Sequence, residues 1–326
     1  MKKGLFFLNH NPIWGWCVLS LLTMGIVGGL ILLKLPAAFL IGAIIGGLIF
    51  ATMGSSLRIS NRVFVAAQSL LGCMIARVFS VSFLENIAAH WILVLISVLS
   101  VLGCSFFVGL FLQKRQILPG STAIWGSWPG AASVMSIMAE AYGADIRLVA
   151  LMQYLRVVMV AVLASVVALS VGSSSPPVSI LSFPPIAWDQ LAGTLAMAGV
   201  CTWAALRTKI PAGPMLLTMI VGAVFNNLGW IQIELPPVLL LITYAVIGWT
   251  IGLKFTKSVF MYALFILPKL IGVIALLLVM CGCIALALVG FAGISPLTAY
   301  LATSPGGADS IAIIAASAPV DMAFVM

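Results

Sequence analysis

The chain has 326 residues, of which 63% are hydrophobic and 7% charged, with a mean hydropathy of +1.27. That balance excludes an ordinary soluble domain and predicts a polytopic membrane protein. The net charge of +8 is the balance of 15 Lys and Arg, scattered at segment ends with no basic helix or nucleic-acid motif, against 7 Asp and Glu, and it does not suggest direct nucleic-acid binding.

Met1-Lys2-Lys3 followed by an apolar run resembles a signal sequence, but no small-residue cleavage site follows, which predicts an uncleaved first span. A span needs about 20 apolar residues. The first half offers segments near 12–33, 36–53, 63–82, 89–112, a broken segment 121–141, and 146–172. Ser173-Ser174-Ser175-Pro176-Pro177 then opens a polar, proline-rich linker running to about Gln190. The second half offers 191–206, 211–229, 236–255, 259–290 and a broken segment 297–317. The domains expected are therefore 1–172, the linker 173–190, and 191–326. Trp14, Trp16, Trp91 and Trp230 near segment ends read as interfacial anchors.

Both broken segments carry the same interruption. One reads Ser127-Trp128-Pro129-Gly130-Ala131, the other Ser304-Pro305-Gly306-Gly307-Ala308, with Pro129 and Pro305 176 positions apart. Proline removes a helix hydrogen bond and glycine frees the backbone, so each is expected to be a helix broken at membrane depth. Such backbone is tolerated only where protein buries it or a watery cavity meets it, and paired breaks in corresponding halves point to a transporter's substrate site.

The halves match well beyond the breaks. Lys34-Leu35-Pro36-Ala37 pairs with Lys209-Ile210-Pro211-Ala212, and Gly47, Phe50 and Gly54 pair with Gly222, Phe225 and Gly229, at an offset of 175. Gly72, Phe79, Thr122 and Asp145 pair with Gly248, Phe255, Thr298 and Asp321 at 176. A near-constant offset over so many positions predicts an internal duplication. Repeat two stops at Met326, the counterpart of Ala150, and lacks a counterpart of the span Leu151 to Val171. Positive residues follow the second and fourth spans of repeat one (Arg58, Arg62, Lys114, Arg115) but the first and third of repeat two (Arg207, Lys209, Lys254, Lys257). The positive-inside rule then gives the repeats opposite orientations. Inversion needs an odd number of crossings per repeat, so one of six elements does not cross fully.

Polar groups inside apolar spans mark candidate sites. Asp309 follows Pro305 by four residues, and its counterpart is Ser133. The half-helix N-terminus presents free N–H groups to an anionic group, and an acid there either caps that terminus or serves transport. Arg156 lies mid-span with Gln153 three residues earlier on the same face. It either snorkels to the interface or faces the core to pair with Asp309 or an anionic substrate. Ser127, Thr303 and Ser304 flank the breaks and either satisfy freed carbonyls or coordinate an ion or substrate. With Pro129, Gly130, Pro305, Gly306 and Gly307, these residues form the candidate substrate- and ion-binding set.

Catalysis has little support. His10 and His90 sit near span ends, and neither a Ser-His-Asp, a phosphate-loop nor a CxxC pattern occurs. No metal set or cofactor is expected, and the six cysteines read as buried packing residues.

Trp125-Gly126-Ser127-Trp128-Pro129-Gly130-Ala131-Ala132, Tyr142 through Ala150, Gln153-Tyr154-Leu155-Arg156, and Ala299 through Gly307 closely resemble the bacterial AbrB membrane-protein family. The resemblance runs through essentially the whole chain. That family is distinct from the soluble transition-state DNA-binding regulator of the same name. The resemblance implies an inner-membrane, multi-pass regulator of gene expression. It also brings the label ammonia monooxygenase, against which the lack of metal ligands argues. The Pro-Gly-Gly break looks distantly like that of bile-acid and sodium–proton transporters, which use inverted repeats and crossed broken helices. Two departures stand out: Ala131 replaces the second glycine of the motif, and the family's final helix with its Gln-x-x-Leu-Arg motif is missing.

The reading is an all-α polytopic membrane protein of two inverted repeats with about 9 to 11 transmembrane segments. It is expected to be a non-enzymatic secondary transporter or solute sensor that affects gene expression indirectly. The competing reading is a non-transporting membrane regulator acting through a partner protein. Expected partners are the lipid bilayer, a small solute and a coupling ion. No residue pattern specifies the oligomeric state.

Overall fold

Runs of Leu, Ile, Val, Ala and Gly with charges only near their ends fold here as helices, whose backbone groups all bond within the segment. The structure is a computed structural model describing residues 12–33, 38–55, 57–77, 79, 91–116, 118, 121–130, 135, 138–139, 142–170, 187–208, 210, 212–255, 266–306, 308–316, 318 and 320–325. No strand occurs among them. The first-half helices are α1 (Pro12–Leu32), α2 (Ala38–Thr52), α3 (Asn61–Ala76), α4 (Trp91–Lys114), α5 (Thr122–Ser127) and α6 (Ile146–Ser170). The second half contributes α7 (Trp188–Thr208), α8 (Gly213–Asn227), α9 (Pro237–Gly252), α10 (Leu267–Ala292), α11 (Pro296–Thr303), α12 (Ala308–Ala316) and α13 (Met322–Val325).

Three sequence expectations need adjustment. The linker does not reach Gln190: Trp188–Gln190 form the first turn of α7, where Asp189 meets the positive end of the helix dipole. The segments expected over 36–53, 63–82, 211–229 and 236–255 shorten to 15 or 16 helical residues, about 22–24 Å, below the hydrocarbon thickness of about 30 Å. Among the described residues, four helices are long and apolar enough to cross a membrane, within α1, α4, α6 and α10. The cysteines are not all buried. Cys73, Cys201 and Cys281 are, but Cys17 and Cys283 are exposed on outward apolar faces. Leu95, Leu99 and Phe107 on α4, and Val279, Leu286 and Phe291 on α10, are exposed in the same way, as lipid-facing surface requires.

Two sets of helices build the interior. In one, α3 packs on α8 and α9 packs on α2, with α1 on α2 and α7 on α8. Glycines allow both central crossings. A Cβ at Gly72 would fall on Thr218 Oγ1 and the Met215 carbonyl. At Gly248 it would lie 2.5 Å from Ala43 Cβ and 2.9 Å from the Leu40 carbonyl. Met215 and Thr218 stand 175 positions after Leu40 and Ala43. Each glycine thus meets the counterpart of the surface the other meets.

In the other set, α4 packs on α5 and α10 on α11, with α4 against α10. Here too the halves use matching bonds. Thr122 Oγ1 accepts the Asp145 N–H at 3.0 Å, and Thr298 Oγ1 accepts the Asp321 N–H at 3.2 Å. Asp145 Oδ1 accepts from Leu148 N–H at 3.3 Å, and Asp321 Oδ1 from Phe324 N–H at 3.2 Å. The three residue pairs, Thr122 and Thr298, Asp145 and Asp321, and Leu148 and Phe324, are each 176 positions apart.

Candidate functional site

The α5 helix ends where Trp128 turns extended (φ −64°, ψ 129°), and α11 ends at Ser304 in nearly the same conformation (φ −70°, ψ 135°). A proline follows each. In an uninterrupted helix the Trp125 carbonyl would receive the N–H of residue 129, and the Leu301 carbonyl that of residue 305. Pro129 and Pro305 have no N–H to give. Both carbonyls lose that α-helical partner, although the Leu301 carbonyl keeps a tighter bond from the Ser304 N–H at 3.3 Å, and a buried carbonyl left unsatisfied is costly.

The two halves solve this differently. At the second break the chain serves itself: Ser304 Oγ donates to the Leu301 carbonyl at 2.9 Å. The counterpart of Ser304 at the first break is Trp128, which has no hydroxyl. Help comes from α6 instead. Gln153 Nε2 donates to the Trp125 and Trp128 carbonyls, each at 3.0 Å, and to that of Gly126 at 3.5 Å. One turn on, Arg156 Nη1 donates to the Trp128 carbonyl at 3.0 Å and the Ser127 carbonyl at 3.4 Å. Its Nη2 donates to Gln153 Oε1 at 2.6 Å. A cation therefore sits at the C-terminal end of α5, where the helix dipole is negative and carbonyls are free.

Arg156 is 1% exposed, as is Gln153. The snorkelling reading of Arg156 is overturned: the side chain faces the core because the carbonyls it satisfies lie there. Among the described residues its partners are backbone carbonyls and Gln153, and the expected pairing with Asp309 falls on a side chain outside them. Ser133 and Gly307 lie outside the described residues, as does the Asp309 side chain, whose backbone belongs to the first turn of α12.

The hydroxyls beside the breaks take the backbone-satisfying role. Ser127 Oγ donates to the Ala123 carbonyl at 2.7 Å, and Thr303 Oγ1 to its counterpart Ala299 at 2.9 Å. Thr303 Oγ1 also lies 3.2 Å from the Cys281 carbonyl, which ties α11 to α10. These oxygens keep acceptor capacity.

One helix brings the breaks together. Gln153 and Arg156 hold the first. Val160, one turn further along α6, meets the second: its carbonyl accepts from Tyr300 OH at 3.3 Å, and a Cβ at Gly306 would lie 3.3 Å from its Cγ1. The two contacts are seven residues apart, about 10 Å of helix. The carbonyls of Trp125 to Trp128 at the first break, and Tyr300 and Gly306 at the second, thus meet one α6 face, with Pro129 and Gly130 following the first contact and Thr303, Ser304 and Pro305 lying between Tyr300 and Gly306 in the chain.

Sequence reasoning missed Ser105 on α4. Phe106 meets the Trp128 ring edge-on at 6.1 Å, and a Cβ at Gly109 would lie 3.0 Å from Ile124 Cα, which puts Ser105 level with the first break. It is 1% exposed. The available signal was a polar residue in the middle of an apolar span. No group of three His, Cys, Asp or Glu side chains able to hold a metal occurs among the described residues.

A family model described as "Transition state regulatory protein AbrB" matches residues 39–326. The chain is 43% identical over 318 residues to "Putative regulator AbrB" of Escherichia coli (strain K12), covering 97% of this chain and 91% of that protein. It is 25% identical over 294 residues to "Uncharacterized protein YhjN" of Bacillus subtilis (strain 168), covering 82% of this chain and 74% of that one. No solved structure matches, and the likeness to bile-acid and sodium–proton transporters has no support from these comparisons.

Proposed function

This chain belongs to the AbrB family, and on that premise we propose that it binds a small solute where its two broken helices meet α6. The solute is carried across the inner membrane by secondary transport or sensed there. Any effect on gene expression is indirect, and no enzymatic step is involved. The architecture proposed with it is two inverted repeats with about 9 to 11 crossings. The observation that carries the reading is the buried pair Gln153 and Arg156, whose amide and Nη groups hold open backbone at a helix break. A protein with only a structural need at this point has a simpler solution in an unbroken helix.

The second reading is a non-transporting regulator working through a partner protein. It is supported by the printed name of the Escherichia coli relative, which calls that protein a regulator.

Ligand-dependent thermal stabilisation of the detergent-purified protein tests the first reading. The panel contains small organic anions, cations and neutral solutes, with Na⁺ and pH varied. A true ligand at 100 times its Kd adds about 2.7 kcal/mol by mass action. Flux into proteoliposomes by that ligand then separates transport from sensing. If no solute raises the melting temperature, the partner-dependent regulator becomes the better account.

A further inference from the structure

Two buried side-chain polar atoms lack a hydrogen-bond partner among the described residues: Arg156 Nε and Ser105 Oγ. They belong to different helices, α6 and α4, which approach the first break from separate directions. Arg156 holds the carbonyls of Ser127 and Trp128. Ser105 neighbours Phe106, whose ring meets Trp128, and lies one turn from Gly109, which abuts Ile124. Both residues therefore stand level with the end of α5, on the two helices that pack against it. Buried polar groups are nearly always paired, and two exceptions at one helix break call for a common partner.

The chemistry of the pair defines that partner. Arg156 Nε–H is a donor only, and the Ser105 hydroxyl has a proton to give. The guanidinium is permanently charged. Both facts favour a ligand with negative charge and acceptor oxygens, and both disfavour a cation. We infer that the solute site at the first break takes a carboxylate, received by Arg156 Nε–H and Ser105 Oγ–H. This inference rests on the solute-binding reading above and adds the class of solute. The remaining guanidinium bonds, to Ser127, Trp128 and Gln153, hold the fork in place for its ligand. Charge-assisted bonds of this kind are short and directional, so neutral isosteres bind much more weakly.

The test uses the full chain in detergent and pairs of solutes matched in shape: sodium acetate against acetamide, and sodium succinate against succinamide, at constant ionic strength set with sodium chloride. Melting temperature is followed against concentration for the wild type, Ser105→Ala and Arg156→Lys. Ser105→Ala removes a hydroxyl that bonds nothing, so its unliganded melting temperature is expected to equal or exceed the wild-type value. The expected result is stabilisation by at least one carboxylate and by neither amide. The apparent affinity then falls at least tenfold in Ser105→Ala, and Arg156→Lys shows no response. If an amide or sodium chloride alone stabilises the protein, or if Ser105→Ala binds the carboxylate as tightly as the wild type, the inference fails while solute binding stands. If the unliganded Ser105→Ala protein melts lower than wild type, the hydroxyl is structural and the inference also fails. If no solute of any class stabilises the wild type, the solute-binding reading fails as well.

Discussion

Gln153→Leu probes the most unusual solution in this fold, a side chain standing in for the N–H that Pro129 cannot supply. Leucine keeps nearly the same volume and fits the apolar surroundings. Four bonds disappear: those to the Trp125 and Trp128 carbonyls at 3.0 Å, the long one to the Gly126 carbonyl at 3.5 Å, which adds little, and the 2.6 Å bond from Arg156 Nη2. The Trp128 carbonyl still receives Arg156 Nη1, so the net damage is one orphaned carbonyl at Trp125 and one lost charge-assisted bond. An orphaned buried acceptor costs about 1–3 kcal/mol and a bond to a charged group about 1.5–3 kcal/mol. Interhelical bonds inside membranes average nearer 0.6 kcal/mol, which pulls the total to about 2–5 kcal/mol. At roughly 2 °C per kcal/mol, the low end for large chains, the melting temperature falls by about 4–10 °C. Gln190→Leu, which breaks only the exposed bond to Gln232, is the control and stays within about 1 °C. Gln153→Glu keeps an acceptor for Arg156 but loses the amide donors, and falls between the two. Equal melting temperatures for Gln153→Leu and Gln190→Leu would show that the Trp125 carbonyl is served in another way and would remove the basis for assigning α6 this role.

Further expectations concern the two halves. Gly72→Ala and Gly248→Ala each press a methyl group onto the facing helix and cost about 1–3 kcal/mol, whereas Gly103→Ala, with open space around it, is neutral or stabilising; melting temperatures of the three variants decide this. Asp145→Ala and Asp321→Ala each remove a carboxylate that accepts a backbone N–H, and each loses about 0.5–2 kcal/mol in the same assay. A large loss at one and none at the other would argue that the matching bonds are not equivalent.

Much of this architecture was legible in the chain. The Pro-Gly interruptions located both breaks to within a residue or two, because loss of an N–H acts locally and needs no tertiary context. Gly72 and Gly248 were visible as an offset pair, although what each packs against was not, since close approach depends on helices far apart in sequence. Arg156 was visible as an anomaly, but its partners were not: the need it answers is created by Pro129, 27 positions earlier. Ser105 escaped notice because a single serine among apolar residues is common, and only its missing bond distinguishes it. The shortened α2, α3, α8 and α9 were also hidden, because hydropathy continues past the point where the helix stops.

The position of α6 has a mechanical consequence. Within about 10 Å it grips the frayed end of one interrupted helix through hydrogen bonds and seats the glycine of the other through apolar contact. Two hinges mounted on one beam do not swing independently. A slide of α6 that slackens the polar grip at the first hinge also shifts the seat of Gly306 at the second.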